Sequence, residues 1–201
     1  MSKRIIAISR QFGSGGRSVA KELAQRLGIA YYDKELVEQV ALESGFDPKY
    51  IEEQGEYAPG RSILSYAFAY HGTPGVKNGL SAADFLWNIQ REVILKIAEK
   101  EPCVIVGRCA DYVLRDRDDV LSAFIHADLD YRAERIVRLY VETEKSPKKR
   151  LQEKDVKRRV YCKHYTDREW GAAENYDLTL NTAKLGQEAC VDILEKLYKG
   201  E

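Results

Sequence analysis

Short apolar runs and amphipathic stretches alternate along this chain of 201 residues. Apolar runs rich in β-branched residues predict strands, whereas apolar residues that recur at helical spacing predict helices. Because the two kinds of segment alternate, we expect an α/β fold, an open parallel sheet with helices on both faces. The strands are predicted at residues 4–9, 29–32, 103–106, 121–126 and 176–181.

The predicted helices have recognisable starts at two places. Ser81 followed by Asp84 forms a capping box, and Pro147 suits the first turn of a helix. Residues 46–79 break the pattern with prolines, glycines and tyrosines, which is typical of a functional loop or an insertion. The helices are predicted at residues 18–27, 34–43, 81–100, 110–114, 130–141, 187–197 and, after Pro147, within 142–168.

The first predicted strand enters a turn of glycine and serine, and a helix follows at once. This turn consists of Gly13, Ser14, Gly15 and Gly16. The first N–H groups of a helix have no partner within the helix and lie at the positive end of its dipole, so they suit an anion. Glycines let the backbone approach phosphate oxygens without a Cβ clash. The order of elements therefore predicts a phosphate-binding loop.

The match to the phosphate-loop pattern G-x-x-x-x-G-K-[ST] is imperfect. With Gly16 on the second glycine, Gln11 stands where the first glycine belongs. Arg17 then takes the place of the lysine, and Ser18 that of the hydroxyl residue that binds Mg²⁺. An arginine keeps the positive charge and adds a planar fork that holds phosphate oxygens bidentately.

Two alternatives to a phosphate loop remain open at this stage. The dinucleotide fingerprint G-x-G-x-x-G fits Gly13 and Gly15, although Ser18 replaces its third glycine. Asp33 follows at about the 20-residue distance expected of a ribose-binding acid. The other alternative is a glycine turn that only packs a helix closely against the sheet.

Composition narrows the classes of partner. The chain has 32 basic and 32 acidic residues, so no net charge attracts it to nucleic acid or to membranes. No apolar run approaches the roughly 20 residues that span a bilayer. Its four cysteines lack C-x-x-C spacing, which speaks against disulfides or a zinc site and favours a reducing cytosol. We therefore expect a cytoplasmic protein without nucleic-acid or membrane partners.

Residues 142–168 are highly charged and mostly basic. At helical spacing Lys154, Arg158 and Tyr161 share one face, with Lys157 beside them. One interpretation is a solvated helix face. The other, which the upstream glycine turn favours, is a lid whose cations close over a phosphoryl group and exclude water.

Other charged residues follow the predicted strands. Ligands of open α/β sheets bind beyond the carboxyl ends of the strands, so Arg108 is expected to point at the site; its alternative is an ion pair with Asp111 or Asp116. Asp33 is a candidate for the acceptor site or for Mg²⁺ through water, and equally a helix cap. Two further arginines after the fourth strand are candidates either for phosphate binding or for the surface: Arg132 and Arg135.

Four blocks of the sequence together resemble a known family. They are SRQFGSGGRSVAKELAQRL, YYDKELVEQVA, VIVGRCADYVL and WGAAENYDLTLNTAKLG. In this order they resemble the cytidylate-kinase-like branch of the P-loop nucleoside monophosphate kinases, from residue 5 to about residue 197.

The resemblance implies one kinase domain over residues 1–201, with an acceptor-binding insertion at 34–90 and a lid at 142–170. It implies ATP with Mg²⁺ as the phosphoryl donor and a nucleoside monophosphate, or another small phosphate-bearing molecule, as the acceptor. Gly13, Ser14, Gly15, Gly16, Arg17 and Ser18 would surround the donor phosphates, with Ser18 also at the metal. The implied lid residues are Lys154, Arg158 and Arg159, and the implied acceptor residues are Gln90, Arg91 and Arg108, to which the strand-end position adds Asp33.

Two departures from that family concern the acceptor. Cytidylate kinases have Gly-Arg-Asp where this chain has Gly107, Arg108 and Cys109, and the tyrosine-rich residues 57–79 also differ. A catalytically weak nucleotide-binding regulator and a kinase of a non-nucleotide small molecule therefore remain alternatives. The oligomeric state is open as well, with a homodimer as one outcome.

Overall fold

Five parallel strands form the central sheet, as the alternating pattern predicts. The computed structural model describes residues 3–49, 51, 81–140 and 145–201. The strands lie side by side in the order β2-β3-β1-β4-β5, and each observed strand begins or ends within two residues of its prediction. They are β1 Ile5–Arg10, β2 Ala30–Tyr32, β3 Cys103–Val106, β4 Val120–His126 and β5 Leu178–Asn181.

Helices follow the strands and cover both faces of the sheet. They are α1 Gly16–Leu27, α2 Lys34–Ser44, α3 Ala82–Lys100, α4 Ala110–Val113, α5 Leu129–Leu139, α6 Pro147–Thr166, α7 Thr182–Leu185 and α8 Gln187–Lys199. The capping box is confirmed, because the Ser81 side chain accepts the Asp84 N–H. Within the ranges given above, no helix has both the length and the apolar character needed to cross a membrane.

Each of the two faces of the sheet packs against its own apolar core. Ile5 and Ala7 of β1 belong to a cluster with residues of α2 and α3, whereas Ile6 and Ile8 belong to a cluster with residues of α1 and α8. All six residues of β1 are buried. A strand covered on both faces is the usual state of a parallel sheet, and it explains why these strands are continuous apolar runs.

The register brings the carboxyl ends of three strands together. Ile8 of β1 lies beside Val106 of β3, and Arg10 lies beside Ile125 of β4. The glycine turn after β1 therefore lies between the turn after β3, where Arg108 stands, and the start of α5. This edge of the sheet is where open α/β folds bind their ligands.

The predicted lid is represented by α6. Ser146 caps this helix by accepting the Lys149 N–H, and Pro147 occupies its first turn. Leu151 and Asp155 are buried, so this face of the helix packs on the body of the protein. Residues 141–144, and the tyrosine-rich residues 57–79 of the predicted insertion, lie outside the described residues.

Candidate active site

The glycine turn between β1 and α1 takes a conformation that needs glycine. Gly13 and Gly15 have φ angles of 78° and 87°, and Gly15 directly precedes the helix, which begins at Gly16. A Cβ atom on Gly13 would lie 2.8 Å from Cγ2 of Ile136. A Cβ atom on Gly16 would lie 2.6 Å from Cβ of Arg10. The turn is therefore a tight backbone cradle that any added side chain would fill.

Ser14 shapes this cradle from behind and does not line the pocket. Its hydroxyl lies 2.9 Å from the Gln11 carbonyl oxygen and 3.1 Å from that of Ile125. Its own carbonyl accepts a hydrogen bond of 2.5 Å from the Thr182 hydroxyl. The side chain of Gln11 accepts the Ala127 N–H at 3.2 Å. These bonds tie the turn to β4 and to the start of α7.

A strongly basic pocket opens in front of the cradle. Seven of the described lining residues are basic, and Asp33 is the acidic one among them. So much positive charge beside a helix N-terminus suits a polyphosphate. The described lining residues are Arg10, Gln11, Phe12, Gly13, Gly15, Gly16, Arg17, Ser18, Asp33, Val37, Arg108, Arg135, Leu139, Tyr140, Lys154, Lys157 and Arg158.

Arg17 and Asp33 form an ion pair at the rim of this pocket. The Arg17 Nε lies 2.9 Å from one Asp33 carboxylate oxygen, and Nη2 donates to the other at 3.1 Å. Asp33 stands at the N-cap of α2, but its side chain does not accept a hydrogen bond from that helix. In the dinucleotide alternative this carboxylate would bind a ribose. Its pairing with the Arg17 guanidinium does not favour that alternative.

Ser18 lies in the first turn of α1 and faces the pocket. Its hydroxyl accepts a hydrogen bond of 2.9 Å from Nη2 of Arg135. Arg135 itself lines the pocket, as its interpretation as a phosphate-binding residue requires. A hydroxyl oxygen beside phosphates is the kind of hard donor that Mg²⁺ takes. Among the described residues, no cluster of three or more His, Cys, Asp or Glu residues offers an alternative metal site.

The helix α6 is fastened to the glycine turn by a buried network. Arg132 Nη1 lies 2.5 Å from Oδ2 of Asp155, and both side chains are less than one tenth exposed. The other Asp155 oxygen accepts the Phe12 N–H at 2.8 Å. Arg132 also donates to the carbonyl oxygens of Ala127 and Phe12. Arg132 is therefore neither a phosphate ligand nor a surface residue but the anchor of α6.

Arg158 supplies a second link between α6 and β1. Its Nη1 donates a hydrogen bond of 3.2 Å to the carbonyl oxygen of Arg10. Lys154 and Lys157 line the pocket beside it, and Tyr161 is buried on the same side of the helix. The structure thus brings these three cations to the pocket, as the helical spacing predicts.

The turn after β3 presents Arg108 through an unusual backbone. Gly107, Arg108 and Cys109 have consecutive φ angles of 79°, 56° and 52°. The left-handed region costs a non-glycine residue about 1–2 kcal/mol, and such strain is concentrated at functional sites. The Arg108 Nη1 donates to Oε1 of buried Gln90 at 3.3 Å. The alternative pairing of Arg108 with Asp111 or Asp116 is not found.

Besides Ser14, three predicted residues do not line the pocket: Gln90, Arg91 and Arg159. Arg91 on α3 and Arg159 on α6 are both exposed, and neither is among the residues that line it. Each lies next in sequence to a residue that points inward, Gln90 and Arg158 respectively. A step of one residue along a helix turns a side chain by about 100°, which separates the two members of each pair.

Cys109 belongs to a buried cluster that joins the β3 turn to α6. With Tyr161 and Cys162 it packs against Trp87, Tyr112, Tyr165 and Trp170. The Trp87 and Tyr165 rings are stacked with centroids 4.6 Å apart. A hydrogen bond with Cys109 lowers the pKa of the Cys162 thiol. Cys109 is therefore a packing residue between two parts of the protein.

A smaller cavity continues from the main pocket towards this cluster. Arg10, Arg108 and Arg158 line both cavities. Below it, the Ser9 hydroxyl donates to Oδ1 of Asp111 at 3.0 Å, and burial raises the pKa of that carboxyl. The other described residues that line the smaller cavity are Ser9, Gly107, Cys109, Tyr161 and Trp170.

Comparison with known proteins identifies the family. The model of the cytidylate kinase-like family matches residues 5–184. No curated protein matches the chain at a significant level. An uncharacterized protein from Eubacterium ventriosum is 29% identical, with 99% of this chain and 100% of that chain covered and a TM-score of 0.73.

Solved kinase structures share the fold at lower identity. A shikimate kinase from Bacteroides thetaiotaomicron is 15% identical, with 96% of this chain and 97% of that chain covered and a TM-score of 0.57. For a gluconokinase from Sinorhizobium meliloti the identity is 17%, the coverage 96% and 94%, and the TM-score 0.52. The chain belongs to the cytidylate kinase-like family and has an α/β fold of the P-loop type.

Proposed function

We propose that this member of the cytidylate kinase-like family is an ATP-dependent kinase of a small phosphate-bearing acceptor, most directly a nucleoside monophosphate. The observation that carries the proposal is the continuous basic pocket. It joins the glycine cradle after β1 to Arg108 after β3, and α6 closes it with three cations. Phosphoryl transfer needs this combination, because its catalysis consists mainly of positioning and charge stabilisation.

The cradle would hold the donor phosphates of ATP. The helix α1 begins at the pocket, so its first backbone N–H groups are available to an anion there. The glycines leave room for phosphate oxygens. Arg17, held at the rim by Asp33, and Arg135, beside Gly15, add positive charge on two sides. Ser14 keeps the loop in shape from behind.

The residues at the start of α1 also fit a magnesium ion. Ser18 would hold it through its hydroxyl, with phosphate oxygens and water as the remaining ligands. Magnesium, when bound, neutralises charge on the β- and γ-phosphates. Arg135, which donates to the same hydroxyl, fixes the Ser18 rotamer towards the pocket.

The lid cations would act on the group in transfer. Lys154, Lys157 and Arg158 face the pocket from α6, where they neutralise developing charge and exclude water. The buried pair of Arg132 and Asp155 fixes the position of this helix relative to the glycine turn. We keep Arg159 as a proposed lid residue only for a state in which the helix turns, since it is exposed in this structure.

The acceptor would bind through its own phosphate on the Arg108 side. Gln90 fixes the guanidinium of Arg108, and Arg91 remains a proposed further ligand from the same helix. Cys109 offers no carboxylate to read a base and is engaged in packing with Cys162 and its aromatic neighbours. The acceptor therefore has to be found by experiment rather than taken from the family name.

The test is turnover of ATP with a panel of acceptors: CMP, dCMP, UMP, AMP and GMP, with shikimate and gluconate as molecules that lack a phosphate. We expect phosphoryl transfer to at least one nucleoside monophosphate. Arg158→Ala should lower kcat by about 100-fold, the usual effect of removing one charge-stabilising donor. Lys149→Ala, an exposed lysine on the same helix, is the matched control and should leave kcat unchanged.

Three results would count against this proposal. Folded protein that transfers to no acceptor excludes the kinase. ATP binding without turnover, unaffected by Arg158→Ala, favours the regulatory alternative. Transfer to shikimate or gluconate but to no nucleotide would keep the kinase and replace its acceptor class.

A further inference from the structure

We infer that Arg10 is the catalytic cation at the point of phosphoryl transfer, the role that a lysine usually has in phosphate-binding loops. The inference rests on the proposed kinase function. It concerns a residue that the motif comparison does not single out, since Arg10 precedes the glycine turn and belongs to β1.

The first observation is the path of the Arg10 side chain. Arg10 is only 6% exposed although it ends the central strand at the ligand-binding edge. Its Cβ and Cγ atoms lie 2.6 and 3.1 Å from the place that a Cβ atom on Gly16 would occupy. The stem of Arg10 thus crosses the first residue of α1 in space that is free only because residue 16 is glycine.

The second observation is where this path ends. Arg10, Arg108 and Arg158 line both the main pocket and the smaller cavity. They therefore stand at the boundary between the donor cradle and the acceptor side, which the transferred group has to cross. Arg158 comes from the lid and Arg108 from a turn, whereas Arg10 comes from the central strand of the sheet. Its backbone lies in the sheet beside Ile125 of β4.

The third observation concerns Arg17, the residue that the motif puts in the lysine position. Its guanidinium is held by both oxygens of Asp33, and its side chain is 47% exposed. From this position at the rim, we expect Arg17 to bind ATP equally strongly in the ground state and in the transition state. Such uniform binding lowers KM and leaves kcat unchanged.

The step assigned to Arg10 is stabilisation without proton transfer. A lone pair on an acceptor phosphate oxygen forms the new bond to the γ-phosphorus. The electron pair of the bond between that phosphorus and the β–γ bridging oxygen passes to this oxygen, and ADP leaves. The acceptor phosphate reacts as its dianion, so no base is needed. The Arg10 guanidinium donates hydrogen bonds to non-bridging oxygens that gain charge as the group moves.

The test compares Arg10→Gln with Arg17→Gln in the full chain. For Arg10→Gln we expect a loss of about 100-fold in kcat, with the affinity for Mg·ADP within about threefold of wild type. The same variant should lose most of the extra affinity that aluminium fluoride gives to the ADP complex, because this mimic resembles the group in transfer. Arg17→Gln should instead raise the KM for ATP and weaken ADP binding.

Two further variants separate catalysis from folding. Arg10→Lys keeps the charge and should recover at least about tenfold of the lost rate. Gly16→Ala keeps the Arg10 charge but displaces its stem, so it should lower kcat; because Gly16 also belongs to the cradle, the affinity for ADP is measured in the same variant and kcat is compared at saturating ATP. Thermal melting confirms that each variant is folded, and a misfolded Arg10→Gln leaves the other two to decide.

The outcomes are distinct. If the wild-type protein transfers a phosphoryl group to no acceptor, the proposed function is contradicted, and the role of Arg10 falls with it. Active wild type with Arg10→Gln and Gly16→Ala both within about threefold in kcat overturns the role of Arg10. Equal losses of affinity for ADP and for its aluminium fluoride complex would also overturn it, because Arg10 would then bind donor and transition state alike.

Discussion

The two halves of the pocket are built in different ways. On the proposed donor side, the cradle consists of backbone groups and glycines; from outside the pocket the Thr182 hydroxyl donates to its Ser14 carbonyl and the Asp155 carboxylate accepts its Phe12 N–H. On the acceptor side, Arg108 extends from a run of three left-handed residues and is fixed by Gln90. Under the proposed function this difference is expected, because donor phosphates are the same whatever the acceptor and a general backbone site can bind them, whereas recognition of the acceptor depends on particular side chains.

The buried charges of the two halves differ as well. On the donor side, Asp155 is paired with Arg132 and also accepts a backbone N–H. On the acceptor side, Asp111 is buried with the Ser9 hydroxyl as its side-chain donor. The stability that Asp155 contributes depends on its partner. At Asp111, by contrast, burial outweighs the Ser9 hydrogen bond and the charge of Arg168 and raises the pKa, so the contribution of this carboxyl depends on pH. This contrast leads to four predictions.

The largest effect is expected for Arg132→Met on the donor side. The substitution leaves the Asp155 carboxylate buried without its cation, which costs about 3–5 kcal/mol of unfolding free energy. Because Asp155 also holds the Phe12 N–H, the glycine turn should loosen and the KM for ATP should rise. Urea unfolding and ATP titration measure the two effects.

The double variant Arg132→Met/Asp155→Leu is the test of this explanation. It removes both charges and should recover most of the lost stability. A matched control is Lys148→Met, which breaks the exposed pair with Asp130 and should cost well below about 1 kcal/mol. If Arg132→Met costs no more than this control, the buried pair does not anchor α6.

Gly13→Ala should come next, at about 3 kcal/mol from a left-handed backbone and an overpacked contact together. Its Cβ would meet Ile136 at 2.8 Å and the Arg132 carbonyl oxygen at 3.1 Å. Gly28→Ala is the matched control, because Gly28 has a φ of 65° but no atom within 4 Å of its added Cβ. It should cost only about 1–2 kcal/mol for the backbone. Equal losses in urea unfolding would show that the cradle is not tightly packed.

Cys109→Asp tests the acceptor half by restoring the aspartate of cytidylate kinases. Residue 109 is 8% exposed and packs against Tyr161 and Cys162, so a carboxylate there should cost about 2 kcal/mol. We expect no gain in the efficiency with which CMP accepts a phosphoryl group. The nearly isosteric Cys109→Ser should cost less in the same urea titration. A stable Cys109→Asp with improved CMP turnover would show that this position still reads the base.

The same contrast separates what the sequence predicts from what it does not. Strand and helix periods are local, so β1, the glycine turn and α6 are predicted nearly to the residue. The anchor of α6 depends on Phe12 and Asp155, which are 143 positions apart, and no spacing rule links them. Periodicity assigns a face to a residue but never names its partner.

Arg10 illustrates a second limit. In the sequence it is one arginine among several, and the motif directs attention to Arg17 instead. Only the closeness of its stem to Gly16 and its place in both cavities distinguish it. The signal that sequence reasoning had available was the glycine at position 16, whose missing side chain implies that another group uses the space.

The smallest effect concerns Asp111 and pH. Burial raises its pKa in the folded protein above the value of about 3.9 for an exposed aspartate. The folded state then holds this proton more tightly than the unfolded state, so Asp111 makes stability fall as pH rises from about 4 through the raised pKa. Asp111→Asn removes this dependence and should be more stable than wild type at neutral pH by about 1 kcal/mol or more.

Asp119→Asn is the matched control, with the opposite sign. A hydrogen bond from Arg117 lowers the pKa of Asp119, so its stabilisation is present at neutral pH and is lost as pH falls through the lowered pKa. Urea unfolding across pH 4–7 should therefore show the Asp111→Asn advantage growing with pH while Asp119→Asn stays less stable than wild type. If Asp111→Asn has no advantage at any pH, the acceptor side solvates this carboxylate better than its burial indicates, and the two halves of the pocket do not differ in how they hold charge.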